Sequence, residues 1–472
     1  DEHFHIPQAQ AYCAARFAVW DPHITTPPGL YLLSAGLLGP WAACSPAGLR
    51  ALNAAALALL PALLARILRA RGARGAARWH AAANIALFPV LFFFSALYYT
   101  DVLSTASVLL SHAHFLHQPS NHLTTFLLGL LSLSLRQTNI FWVAVYPLTL
   151  ECLRLIDRGP PAARASMQRR VPGFGASARD VVRGAFRLRV VYDVPVREAC
   201  VADVARSLVS LPAALLAALT HAPRRRALLS HLAPYLALLT TFTALVLLNG
   251  SVALGDKTHH VPRLHAAQLL YLGPCLFFFS WPILVPHLLI TPRPRPGTCV
   301  AAALLAALVV HTTSTPVHPF SLADNRHYPF YVLRLLLRSH PLVRFAVIPV
   351  YLLTLWAAAL ATAGGTVPLL ALALPTALHL ASAPLVEPRY FILPWLFWRL
   401  HVASAPATAS PSAPASAPAS TPPPAPPPST PPLLLLLETL WALAVHAVTG
   451  WLFLHRGFEW PQEPGVVQRF LW

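Results

Sequence analysis

Charge is what this chain has least of. Only 11% of its 472 residues are Asp, Glu, Lys or Arg, where soluble domains carry about 25%, so a water-facing globule is excluded. Lysine is reduced to Lys257 and methionine to one internal residue. With the excess of Ala, Pro and Arg this reads as GC-rich coding bias, which makes arginine abundance less informative than usual. Six cysteines (Cys13, Cys44, Cys152, Cys200, Cys275, Cys299) form no C-x-x-C pair, so zinc and dithiol redox motifs find no support. Cys13 and Cys44 could meet in a shared oxidising compartment, but two buried thiols are the plainer expectation. No P-loop, G-x-G-x-x-G, H-E-x-x-H or G-x-S-x-G occurs. ATP-driven transport, dehydrogenase chemistry and the common hydrolase patterns therefore have no foothold.

What the chain has is hydrocarbon. It is 56% hydrophobic with a mean hydropathy of +0.57. Apolar stretches such as Ala51–Leu68, Ala81–Tyr99, His231–Asn249, Phe345–Thr362 and Leu433–Leu454 recur along its length. Each is long enough to cross a bilayer core, and about a dozen such spans are expected. The fold class is thus all-α, a polytopic membrane protein. The net charge, 34 − 16 = +18, does not point to nucleic acid, because the basic residues sit in loops between apolar spans. The chain opens on polar residues at Asp1, and a preceding first span is expected to be missing. Residues 1–402 read as the membrane-embedded region with its loops, 403–432 as a low-complexity Pro/Ala/Ser linker that cannot bury enough apolar surface to fold, and 433–472 as a last span and tail.

Basic loops mark the cytosolic side. Arg66–Arg78, Arg154–Arg206 and Thr291–Gly297 fall there when the spans alternate. The opposite face then receives Asp1–Ala47, Tyr98–Asp101, Arg136–Asn139, Gly250–His260, Ser314–Tyr331 and Pro384–Arg389. Val102–His117 and His122–Leu135 are short for full crossings and need tilt or a re-entrant path. Of the 16 acidic residues, Asp1, Glu2, Asp21, Asp101, Asp256, Asp324 and Glu387 all share that second face, which suggests one site.

Several polar clusters there could carry chemistry. Asp1-Glu2-His3-Phe4-His5 sets two carboxylates beside two imidazoles. It reads as a solvated loop, as a metal site built from His3, His5 and an acid, or as a general base at the membrane surface. In Trp20–Tyr31, Pro22, Pro27, Pro28 and Gly29 forbid a regular helix before about Leu30. The segment is a rigid covering loop or a cleft wall, with Trp20 available to stack on a sugar ring. Tyr98 and Tyr99 suit interfacial anchors, but Asp101 beside hydrocarbon needs a partner or a task. Arg136 could pair with it or hold a phosphate. Leu322–Tyr328 and Glu387–Phe391 each place an acid two residues from an arginine, Asp324 with Arg326 and Glu387 with Arg389. Either is an internal ion pair or part of a site for a charged lipid headgroup. Gly255-Asp256-Lys257 is explained by an exposed turn.

Taken in order, DEHFHIPQAQAYC (Asp1–Cys13), WDPHITTPPGLYLLS (Trp20–Ser34), FFFSALYYTDVLST (Phe92–Thr105), LRQTNIFWV (Leu135–Val143), GDKTHH (Gly255–His260), LADNRHYPFYV (Leu322–Val332), EPRYFILP (Glu387–Pro394) and QRFLW (Gln468–Trp472) resemble one family. It is the dolichyl-phosphate-glucose-dependent α-1,2-glucosyltransferase family of N-glycan precursor assembly. The resemblance implies a multi-pass enzyme of the GT-C class in the endoplasmic reticulum membrane, with its active site facing the lumen and no metal or other cofactor. The donor it implies is dolichyl phosphate glucose, and the acceptor a dolichyl-diphosphate oligosaccharide already carrying two glucoses. A β-linked donor and α-linked product imply inversion in one displacement. Asp1 is the expected base, with Glu2 behind it. Arg326 and Arg389 are expected at the donor phosphate, and Asp101 and Asp324 as orienting groups or sugar ligands. Trp20, Asp21, Tyr99, Arg136, His327 and Glu387 complete the expected binding set. The Ser/Pro-rich linker is not part of the family pattern.

Two other readings stand beside this one. Another GT-C dolichyl-phosphate-sugar transferase would keep fold and mechanism while changing the sugar. A transporter or channel-associated protein without chemistry would place its charges near mid-membrane between broken helices, whereas here they gather at one surface.

Overall fold

The computed structural model describes residues 2–160, 163, 164, 167, 177–257, 263–290, 296–313, 324–338, 340, 342–362, 364–383, 385–403 and 430–472. Its elements are almost all helices. Among the described residues the one sheet is a two-stranded antiparallel hairpin, Phe458–Trp460 with Glu463–Gln468. Among the described residues seven helices are long and apolar enough to span a membrane, or eight if one bent pair counts as a span. Three shorter apolar helices, His122–Leu135, Gly297–Thr312 and Thr366–Ala381, accompany them. Among the described residues the expected dozen is therefore not reached by helices of full length.

Local chemistry explains where the spans start and break. Helix Pro46–Ala70 begins with Ser45 accepting the Gly48 N–H at 3.2 Å and Pro46 in its first turn, a position where proline loses no hydrogen bond. The expected Ala81–Tyr99 span is instead broken. Helices Gly75–Ala86 and Pro89–Ser95 meet at 65°, because the residue before a proline avoids the helical region and Phe88 lies at φ −53°, ψ 120°. The Leu87 carbonyl freed by the break takes His446 Nε2 at 3.0 Å. Helix Ala267–Ile290 bends at Ser280 (φ −136°, ψ 20°). Pro282 has no N–H for the Phe278 carbonyl, and Trp441 Nε1–H donates to that oxygen instead at 2.6 Å, as an apolar solvent demands.

With no water to drive helices together in lipid, close packing must hold the bundle. Helices Ala267–Ile290 and Ile348–Ala361 touch at Gly273, where a Cβ would lie 2.6 Å from Thr354 Oγ1. Trp142 stacks on Phe397 at 4.7 Å and Phe88 on Trp395 at 4.1 Å within the main core. Inside that bundle Arg399 meets Glu438 through two bonds of 2.7 Å. Asn84 donates to Glu438 Oε2 at 2.8 Å, and Thr439 donates to Asn84 Oδ1 at 2.6 Å.

Two further departures concern the ends of the bundle. The basic stretch Arg154–Arg206, expected as a loop, contains the helix Ala178–Leu188, and a small core of Met167, Val181, Val190, Tyr192 and Val194. Cys13 and Cys44 are joined as a disulfide, which overturns the expectation of two thiols. It ties the short helix Glu2–Cys13 to the start of helix Pro46–Ala70.

Candidate active site

Segments from across the chain converge on one cavity of about 1120 Å³, lined among others by His5, Tyr99, Arg136, Arg326, Arg389 and Trp460. Each arrives for a local reason. Helix His122–Leu135 ends as Arg136 turns to extended backbone (φ −156°, ψ 130°), which aims its side chain back at the cavity instead of along the helix. Gln137 Nε2–H then donates to the carbonyls of Thr25 and Val252 at 2.7 and 3.1 Å. Leu254 N–H donates to Thr25 O and Asp256 N–H to Pro22 O. Three sequence-distant loops are stitched by these bonds. Gly255 allows the approach, since a Cβ there would strike the Pro22 and Ile24 carbonyls. An exposed turn was expected at 255–257; Lys257 is such a turn residue, whereas Gly255 is buried and Asp256 lines the cavity.

The arginines reach the cavity already tied to acids. Arg136 Nη1 donates to Asp101 Oδ1 at 2.6 Å, with the Asp101 side chain fully buried and Arg136 16% exposed. Arg326 grips Asp324 through Nε and Nη2 at 2.9 and 2.6 Å, donates to Gln468 Oε1 at 3.2 Å and lies 4.6 Å over the Trp460 ring. Arg389 Nε donates to Glu387 Oε2 at 2.6 Å and lies within 6 Å of the Phe94 and Tyr99 rings. Burial alone would raise the Asp324 and Glu387 carboxyls, but the arginines' charges and hydrogen bonds hold both below the usual carboxylate range. All three guanidinium groups are thus held in place by an acid, as a phosphate clamp requires.

Of the residues expected at the site, Tyr99, Arg136, Asp324, Arg326, His327, Glu387 and Arg389 line the cavity. Asp101 sits behind Arg136. Trp20 and Asp21 are not among the lining residues. Trp20 packs edge-on against Tyr31 at 6.1 Å, and Asp21 accepts His23 Nδ1 at 2.8 Å. His23, Ile24, Thr25 and Thr26 form that wall instead. Glu2 also stands back. Its carboxylate takes Arg50 at 2.7 and 2.6 Å and the Tyr98 N–H at 2.8 Å. Burial would raise it, but these bonds hold it below the ordinary carboxylate range. Asp1 lies outside the described residues. Of the two imidazoles in that motif, His5 is buried and bonds Tyr31 Oη at 2.6 Å. Burial pushes it down to about 3, so it is neutral at any physiological pH. Among the described residues no three His, Cys, Asp or Glu side chains converge as a metal site.

Residues that the motifs did not single out come from the middle of the chain, such as Phe242, His379 and Ser382, and from its end. Trp460, Pro461, Gln462, Glu463 and Leu471 line the cavity. The closing QRFLW segment was the one hint, and its reach is explained by backbone pairing. Leu471 N–H donates to Arg326 O at 2.9 Å and Tyr328 N–H to Leu471 O at 3.3 Å.

Comparison with known proteins adds to this geometry. The sequence profile of the DIE2/ALG10 family matches residues 1–400. A protein of Emericella nidulans named Dol-P-Glc:Glc(2)Man(9)GlcNAc(2)-PP-Dol alpha-1,2-glucosyltransferase is 34% identical over 591 aligned residues, covering 100% of this chain and 93% of its own. The protein of that name from Aspergillus fumigatus is also 34% identical, with the same coverage. The one from Mus musculus is 30% identical, covering 100% of this chain and 92% of its own. No solved structure matches the chain significantly.

Proposed function

The chain belongs to the DIE2/ALG10 family, and on that premise we propose how its cavity performs an inverting sugar transfer on the luminal side of the endoplasmic reticulum membrane. The reaction is that of its relatives: glucose passes from dolichyl phosphate glucose to the diglucosylated dolichyl-diphosphate oligosaccharide in α-1,2 linkage. The observation that carries the residue-level reading is that Arg136, Arg326 and Arg389, each fixed by its own acid, open on one cavity.

In this reading the donor phosphate lies against Arg326 and Arg389, with Arg136 beside them. The acceptor 2-hydroxyl oxygen attacks the anomeric carbon from the face opposite the phosphate. As the new C–O bond forms, the old one breaks, its electron pair stays on dolichyl phosphate, and the hydroxyl proton goes to a carboxylate. The guanidinium groups stabilise the charge that grows on the leaving oxygen. Asp1 is the proposed base. Its neighbour Glu2 is closed by Arg50 and the Tyr98 amide, which favours Asp1 of the two and gives Glu2 the task of holding the first loop in place. Asp101, Asp324 and Glu387 set the arginines. Tyr99 and His327 offer contacts to the bound sugar, and Asp21 acts through His23, with Trp20 supporting that loop. The Cys13–Cys44 disulfide on the same face as the cavity supports the luminal orientation, because such bonds persist in oxidising compartments.

The test supplies radiolabelled dolichyl phosphate glucose and diglucosylated acceptor to membranes holding the full-length protein. One glucose should be added, removable by an α-1,2-specific glucosidase. Transfer from a mannosyl donor instead would overturn the reading. For orientation, Gln462→Cys in a protein whose free cysteines Cys152, Cys200, Cys275 and Cys299 are replaced by Ser should react in sealed microsomes with an impermeant maleimide only after permeabilisation. Labelling of that variant in intact microsomes would place the cavity in the cytosol.

A further inference from the structure

The tail after the last long helix contributes to the cavity a tryptophan, a proline, an amide, a carboxylate and a leucine, and no cation. We infer that the turn Trp460–Glu463 is the acceptor subsite, holding the terminal sugar of the oligosaccharide while the arginines hold the donor. This rests on the glucosyltransferase reading above.

The chemistry of the turn separates the two substrates. A phosphate is repelled by Glu463, whereas a pyranose suits the turn well. One face of the sugar is C–H groups, which an indole covers, and its rim is hydroxyls, which an amide and a carboxylate bind. Both groups that would grip it are held in place. Trp460 Nε1–H donates to Asn325 Oδ1 at 2.7 Å, and Glu463 Oε2 accepts Gln468 Nε2–H at 2.7 Å. Pro461, Gln462 and Glu463 are exposed at the cavity edge, where a hydrophilic oligosaccharide enters from water. The donor, anchored by its lipid, comes from the bilayer.

The tail also reaches the donor side. Arg326 packs on the Trp460 ring and bonds Gln468, and its own backbone carbonyl is bonded by Leu471. A sugar seated on the turn therefore rests on the same elements that hold the arginine proposed for the leaving phosphate.

The experiment measures the KM of both substrates for full-length wild type, Trp460→Ala, Trp460→Phe and Gln462→Ala. Acceptor KM should rise about tenfold or more in Trp460→Ala, since the lost contact is a binding one. It should rise several-fold in Gln462→Ala, whose side chain can be cut without touching Arg326. Donor KM should stay within about twofold in Gln462→Ala, and in Trp460→Ala, which also removes the ring beneath Arg326, it should rise less than acceptor KM. Trp460→Phe, which keeps a ring, should return most of the acceptor affinity. An unchanged acceptor KM in Gln462→Ala and Trp460→Ala overturns the inference, as does an equal rise in donor KM. If Trp460→Ala does not fold, the Phe and Gln462 variants decide. A wild type that ignores the diglucosylated acceptor would instead refute the reading on which this inference rests.

Discussion

Arg326 and Arg389 find their carboxylates two residues away, whereas Arg399 reaches Glu438, thirty-nine residues on. The nearby pairs line the cavity, half-buried, and each guanidinium also lies over an aromatic ring. The distant pair is sealed in the bundle, Arg399 wholly inaccessible, with Asn84 donating to the acid and Thr439 donating in turn to Asn84. An acid two residues off fixes an arginine's direction while leaving part of it for a ligand. An acid on another helix instead draws the arginine out of reach of any ligand and joins two spans. The same ion pair thus sits at the wall of the cavity in one place and joins two helices in another.

That contrast can be broken most readily from the buried side. Glu438→Ala leaves Arg399 uncompensated and should cost about 3–5 kcal/mol of stability, read as a collapse of thermal stability in detergent. Replacing both partners with Leu should recover much of it, and a stable single variant would refute the clamp. At the cavity the order of effects should reverse. Arg389→Ala should lower kcat/KM on the order of a hundredfold or more through lost charge stabilisation, with a smaller loss of stability than Glu438→Ala. Equal losses in both would erase the distinction. Arg326→Lys keeps the charge but not the fork on Asp324 and Gln468, and should cost about tenfold in activity. Wild-type activity in that variant would show the fork to be dispensable. The smallest effect concerns pH. Carboxylates with lowered folded pKa stabilise above their unfolded value of about 4 and lose that contribution only as pH falls further. Glu2, Asp324 and Glu387 are of this kind and lose nothing from pH 7 to about 5. His5, kept neutral by burial while its unfolded form takes up a proton near 6.5, should make thermal stability fall as pH drops through that window, and a level profile would refute its burial.

Much of this was legible in the residues. Hydropathy marked the spans, and the rule that an acid beside hydrocarbon needs a partner pointed from Asp101 to Arg136. Both i, i+2 acid–arginine pairs were visible because both members lie in one short loop. What was hidden depends on distance along the chain. Nothing near Glu2 announces Arg50, and nothing in Trp460 announces Asn325. The 65° break is hidden by an apolar run that hydropathy reads as continuous, although Pro89 carries the signal. The cavity wall at His23–Thr26 in place of Trp20 and Asp21 reflects a loop direction that no periodicity encodes.

The Arg399–Glu438 pair has a consequence for how the chain is free to vary. It joins the helix just before residues 404–429 to the helix just after them. The last span is then located by a bond across the bundle and not by the length of the segment leading to it. Two helices fixed to each other in this way keep their relation at small cost when the chain between them changes length, since closure entropy grows only slowly with chain length. The pair acts as a registration pin, and the protein should tolerate being made as two pieces cut between these helices.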